Sequence, residues 1–131
     1  MKGAREKMDK KKKILIVEDD ASFSEILKLA FKGEGFDMIF AKNGEEGLVL
    51  AETEKPDLIL LDIIMPKMNG IEMAQSLRRV NKKVPIIFLT NVEDMASISE
   101  AFKMDKSDYI VKSTVHINNI VSAAKDKLKV K

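Results

Sequence analysis

The sequence predicts an α/β fold, a single domain built on a doubly wound, five-stranded parallel sheet. Short apolar runs alternate with segments of helical periodicity five times along the chain, the pattern of strands joined by crossover helices. The first, third and fourth runs are continuously apolar, as central strands covered on both faces must be. A length of 131 residues suits one domain and is enough to bury a core without disulfides or a structural metal.

The first strand is ILIV (14–17), which runs into Glu18, Asp19 and Asp20. The stretch 22–35 sets Phe23, Ile26, Leu27, Ala30 and Phe31 at helical spacing, with Gly33 and Gly35 as stop signals. FDMIFA (36–41) alternates like a strand and carries Asp37, which marks it as an edge. The segment 43–56 opens with Asn43 and has Glu46 three residues later, resembling a capping box, and its helix must stop before Pro56. DLILLD (57–62) is the third strand, followed by a helix over 69–80 capped by Asn69. VPIIFLT (84–90) is the fourth strand, 93–104 a helix and DYIVK (108–112) the last strand. Over 114–129, Ile117, Ile120, Val121, Ala124 and Leu128 share one helical face. Right-handed crossovers between parallel strands favour the doubly wound arrangement.

Composition excludes several kinds of chemistry. Without Cys there is no disulfide framework, thiol nucleophile or thiolate metal site, which fits a reducing compartment. No apolar run approaches the roughly 20 residues that span a bilayer, and the charged N-terminus lacks the apolar segment of a signal peptide. The expected location is therefore cytoplasmic, with no membrane contact. The net charge of +2 hides an asymmetry: residues 1–13 hold seven Lys or Arg against two acids, so the body is mildly acidic. Residues 1–12 read as a basic, disordered leader or arm. They have no aromatic to stack on a base, and their charges alone give only salt-sensitive attraction, so no direct nucleic-acid binding is expected.

In such a sheet, ligands bind beyond the carboxyl ends of the strands. Strand one ends in Glu18, Asp19 and Asp20, strand three in Asp62, strand four in Thr90 and strand five in Lys112. If strands one and three are neighbours, three carboxylates meet, and ionising all of them is costly. Either a proton is shared or a hard divalent cation binds, and an oxygen-only ligand set suits Mg²⁺ or Mn²⁺. Mg²⁺ prefers to share its site with phosphate, which makes phosphoryl chemistry the leading reading. Lys112 can then neutralise a phosphoryl oxygen, Thr90 can donate to another, and Asp62 is the candidate nucleophile. Each residue alone has a plainer role: Asp19 or Asp20 as a helix cap, Thr90 as a strand-end hydroxyl, Lys112 as a surface base. Their joint position favours the site. His116, the single histidine, reads as a surface residue.

Taken together, ILIVEDD, LILLDIIMPKMNG, IIFLTN and DYIVK resemble the receiver domain of two-component response regulators over residues 13 to about 128. The resemblance implies a flavodoxin-like sheet of order 2-1-3-4-5, as in the family's chemotaxis members, with the receiver domain over 13–131. It implies Asp62 as phosphoacceptor, taking its phosphoryl group from a phosphohistidine of a sensor kinase or phosphotransfer protein. Mg²⁺ (or Mn²⁺) would be held by Asp19, Asp62 and the backbone carbonyl of Ile64, with Glu18 reaching it through water. Thr90 and Lys112 would bind the phosphoryl oxygens. Thr90 and Tyr109 would form the switch that reshapes the face made by helix 93–104, strand 108–112 and helix 114–129. Such a domain is not an enzyme on other substrates; its activities are self-phosphorylation and self-dephosphorylation. Its expected partners are the phosphodonor and a downstream protein target or a missing effector domain, with the domain itself a monomer or weak phosphorylation-dependent dimer. The chain leaves no room for an effector domain, so it reads as a stand-alone regulator or a piece of a longer protein.

Three positions depart from the family pattern: Ser113 replaces the proline after the lysine, Asp105 and Lys106 replace Gly-Ala, and Asn91 replaces a small residue. Ile64 and Val92, both apolar, should flank the path of a hydrolytic water, so slow self-dephosphorylation is expected. An Asp-nucleophile hydrolase would need a second acid where Ile64 stands, and a flavin phosphate would be repelled by EDDAS (18–22). A pseudo-receiver, acting only as an interaction module, is disfavoured by the intact acid set.

Overall fold

The computed structural model describes residues 11–81, 83–90, 108–112 and 116–129. Residues 1–10 of the expected leader, the helix expected over 93–104, and Asn91, Val92, Asp105, Lys106 and Ser113 lie outside the described residues. In chain order the elements are β1 (Lys13–Val17), α1 (Ala21–Phe31), β2 (Asp37–Ala41), α2 (Gly44–Glu54), β3 (Leu58–Asp62), α3 (Gly70–Arg78), β4 (Ile86–Thr90), β5 (Asp108–Val111) and α4 (Ile117–Leu128). All strand pairings are parallel, and the sheet order is β2-β1-β3-β4-β5.

β1, β3 and β4 are the inner strands. β3 and β4 are buried along their whole length, as is β1 after Lys13, and this burial on both faces is why their sequences do not alternate. Side chains from alternate positions enter two cores. Leu15, Val17, Leu61 and Phe88 meet Met73, Ala74 and Leu77 of α3 on one face. Ile16, Leu60 and Leu89 meet Leu27 and Phe31 of α1 and Ile120, Val121 and Ala124 of α4 on the other. β4 begins two residues later than expected. Pro85 has no N–H and joins the ladder only through its carbonyl, which accepts from Ile59 N at 3.0 Å.

Two expectations about helices need correcting. Ile26 is 47% exposed, because the buried stripe of α1 runs through Phe23, Leu27, Ala30 and Phe31 and leaves Ile26 to one side. The capping box expected at Asn43 is only half formed: Asn43 accepts from Glu46 N at 2.9 Å, but the Glu46 carboxylate accepts from Lys42 N instead. The full reciprocal box lies at α3, where Asn69 accepts from Glu72 N at 2.9 Å and Glu72 accepts from Asn69 N at 3.0 Å.

That cap starts α3 directly against the end of β3. Gly70 N donates to Ile63 O at 2.8 Å. A Cβ on Gly70 would collide with the Asp62 carbonyl oxygen and come within 2.9 Å of its carbon and of Ile63 Cα. The glycine therefore lets the helix pack onto the backbone that carries Asp62. Gly70→Ala should destabilise the protein by about 1–3 kcal/mol through overpacking against immobile backbone. Urea unfolding checks this, and an unchanged midpoint would mean that α3 can retreat freely from the strand end.

Candidate functional site

Strand alternation assembles the site. Ile16, Leu60 and Ile110 face the core beneath α1 and α4. The ladder continues one residue past β1 and β5, through Glu18 N to Ala41 O at 3.0 Å and Lys112 N to Thr90 O at 2.8 Å. Two residues beyond Ile16, Leu60 and Ile110, on the same side of the sheet, stand Glu18, Asp62 and Lys112. Three side chains from three strands therefore converge at one carboxyl edge.

Their burial makes the convergence chemically demanding. Glu18 and Asp62 are 3% and 4% exposed. The Lys112 ammonium lies 2.9 Å from Glu18 Oε1 and 3.5 Å from Asp62 Oδ2, and 4.6 Å from the centre of the Phe23 ring. Asp19 is exposed at the rim, and carboxylate oxygens of Glu18, Asp19 and Asp62 lie within 4.8 Å of one another. Asp20 takes the plainer of the roles open to it: its carboxylate accepts from Ser22 N at 2.9 Å and Phe23 N at 3.3 Å, capping α1. Its own N–H donates to Glu18 Oε2 at 3.1 Å.

Burial, followed by the hydrogen bond to Glu18 and the charge of Glu18, pushes the Asp62 carboxyl up to about 8; Lys112 opposes this and Asp19 adds to it. For Lys112, burial pulls downward, but the hydrogen bond to Glu18 and the charges of Asp62 and Glu18 outweigh it, so its pKa is raised. One ammonium thus offsets two buried carboxyls only in part, which favours the protonated form of Asp62. An all-oxygen group of this compactness fits a hard divalent cation, which would replace that proton.

The remaining predicted residues lie on or beside neighbouring elements. Thr90 is fully buried at the end of β4. It lies two residues beyond Phe88, and the alternation places it with the α3-side core rather than with Lys112. Tyr109 pairs with Phe88 in register and is 39% exposed. Ile64 follows Asp62 by two positions, with its side chain 53% exposed. His116 is exposed at the start of α4, as expected, and its side chain does not cap the helix. Sequence reasoning placed Phe23 in the core only. The available signal was its position in the first turn of a helix that starts directly after the acidic strand end.

The fold and the charged cluster at its carboxyl edge define a phosphoacceptor type of signalling domain. Residues 14–125 match the model of the response regulator receiver domain, and the chain belongs to that family. It is 41% identical over 101 residues to the alkaline phosphatase synthesis transcriptional regulatory protein PhoP of Bacillus subtilis, covering 77% of this chain and 42% of that protein. It is 38% identical over 102 residues to the DNA-binding response regulator MtrA of Mycolicibacterium paratuberculosis, covering 78% and 45%. The chain thus spans less than half the length of these relatives. Among solved structures, it is similar to a CheY-like receiver domain protein of Methanospirillum hungatei, with a TM-score of 0.85 and 28% identity over 92% of this chain and 95% of that one. Among the described residues, no helix is long and apolar enough to cross a membrane.

The raised Asp62 pKa sets a pH dependence. Between the unfolded value of 3.8 and about 8, the folded protein holds a proton that the unfolded chain has released. Stability therefore falls as pH rises through this window. In chelator-treated protein, urea unfolding should show this decline. Asp62→Asn should remove it and be the more stable protein at the alkaline end. Parallel profiles for the two proteins would contradict the assignment.

Proposed function

We propose that Asp62 is the phosphoacceptor of this receiver domain. The observation that carries the reading is a buried nucleophile-capable carboxylate at the end of β3, within reach of Lys112 and of two further carboxylates. The phosphodonor is a phosphohistidine of a sensor histidine kinase or phosphotransfer protein. The N–P bond breaks as the bond between phosphorus and a carboxylate oxygen of Asp62 forms, and the proton needed by the leaving imidazole comes from solvent. Glu18, Asp19, Asp62 and the backbone carbonyl of Ile64 would hold Mg²⁺ or Mn²⁺. Bound there, the cation supplies positive charge that keeps Asp62 ionised and offsets its repulsion from an anionic donor.

Lys112, now ion-paired with Glu18, swings its ammonium toward a phosphoryl oxygen. The Thr90 hydroxyl donates to another. Tyr109 then turns inward from its half-exposed position, and the surface around β5 and α4 changes for a partner. Energetically this is a two-state equilibrium biased by a new covalent charge. The apolar Ile64 and Val92 give a hydrolytic water nothing to bond to, so self-dephosphorylation is slow. The names of the relatives describe transcriptional regulation and DNA binding. We assign output here to a protein target or to an effector domain, without direct nucleic-acid or membrane contact by this domain. The domain works in the cytoplasm as a monomer or weak phosphorylation-dependent dimer.

Incubation with Mg²⁺ and acetyl phosphate, read by intact mass, tests the assignment. The wild type should gain a single phosphate, and Asp62→Asn should gain none while keeping its circular dichroism spectrum. Phosphate on Asp62→Asn would place the acceptor elsewhere.

A further inference from the structure

The Lys112 ammonium has three N–H donors and, among the described residues, three neighbours. Two are carboxyl oxygens, Glu18 Oε1 at 2.9 Å and Asp62 Oδ2 at 3.5 Å. The third is the face of Phe23, whose centre is 4.6 Å away. The Lys112 side chain is only 15% exposed, so this contact is largely shielded from water, where attraction between a cation and an aromatic face is strongest. Phe23 is itself fixed from below. Its N–H donates to Asp20 Oδ1, and Asp20 N donates to Glu18 Oε2, so the segment from Glu18 to Phe23 carries two of the three partners of the ammonium.

We propose that Phe23 is a positioning residue for phosphoryl uptake, its ring face holding the Lys112 ammonium beside Asp62. This rests on the reading of Lys112 as a phosphoryl ligand. A carboxylate in the same place would also hold the ammonium, but it would compete with the incoming phosphoryl oxygens and repel the donor. The ring attracts the ammonium without adding charge, so Lys112 can exchange an acid for a phosphoryl oxygen while its direction is kept. An aliphatic residue of similar bulk would fill the space and leave the ammonium free to settle onto Glu18 alone.

Ring fluorination separates this role from packing, because fluorine drains the electron-rich face while nearly preserving shape. The full chain is prepared with mono-, di- and trifluorophenylalanine at position 23, together with Phe23→Leu and Phe23→Trp. Uptake from acetyl phosphate in Mg²⁺ buffer is followed by intact mass. The rate should fall stepwise with fluorination, fall about 3- to 10-fold in Phe23→Leu, and be retained in Phe23→Trp. The second readout needs neither donor nor metal. The side-chain methylene resonances of Lys112 should be displaced upfield by the ring in wild type and return in Phe23→Leu. Rates flat across the fluorinated series, or Lys112 resonances that ignore the substitution, would overturn the proposal. If Phe23→Leu fails to fold, the fluorinated series decides. A wild type that takes up no phosphate would contradict the function proposed above, and the Lys112 resonances would then decide the contact alone.

Discussion

Two carboxyls buried side by side, Glu18 and Asp62, with one ammonium between them, constrain the rest of the domain. Neither carboxyl has useful contact with water, and Lys112 approaches Glu18 more closely than Asp62. Among the described residues the charges do not balance, so the site calls for a further positive partner. In the protein alone, burial and the neighbouring Glu18 push Asp62 toward holding a proton in that place. An unbalanced buried site of this kind costs stability, and the surrounding fold has to hold it in place. Two cores on opposite faces of the sheet fix the three strands, and the cap at Asn69 with the close approach at Gly70 fixes the backbone after Asp62.

The same imbalance gives the site its chemical capacity. A nucleophile held too tightly by Lys112 would be a poor one, and a fully solvated carboxylate would repel an anionic donor without compensation. The pull toward protonation keeps Asp62 responsive to whatever positive charge arrives, and the exposed Asp19 at the rim offers the approach. Lys112 is held by contacts of unequal length, 2.9 Å to Glu18 and 3.5 Å to Asp62, which suits the phosphoryl-ligand role proposed for it.

Much of this was legible in the sequence. The uninterrupted apolar runs of β1, β3 and β4 could only be buried strands, and the residues at their carboxyl ends were therefore neighbours at one edge. Alternation along the strands even determines that Glu18, Asp62 and Lys112 share a face. Side-chain depth was less legible. Asp62 was expected at the open carboxyl end of its strand and is almost completely covered. Ile26 and Phe23 differ by less than one helical turn, yet one faces solvent and the other meets the ammonium. Helical periodicity defines a stripe, and only packing decides which edge of that stripe is covered. The complete capping box formed at Asn69 rather than Asn43 for a similar reason: its reciprocal bond depends on how the preceding loop presents an N–H, which local pattern does not specify.

With the function proposed above, a proton and a divalent cation are alternative occupants of one site. Mg²⁺ titrated into the metal-free protein at about pH 6.5, in buffers of different ionisation enthalpy, measures the protons displaced on binding. The account predicts release approaching one proton per ion, abolished in Asp62→Asn. Mg²⁺ binding with no proton release, or with release unchanged by Asp62→Asn, would show that Asp62 is already ionised and that the charge balance at this edge is struck in another way.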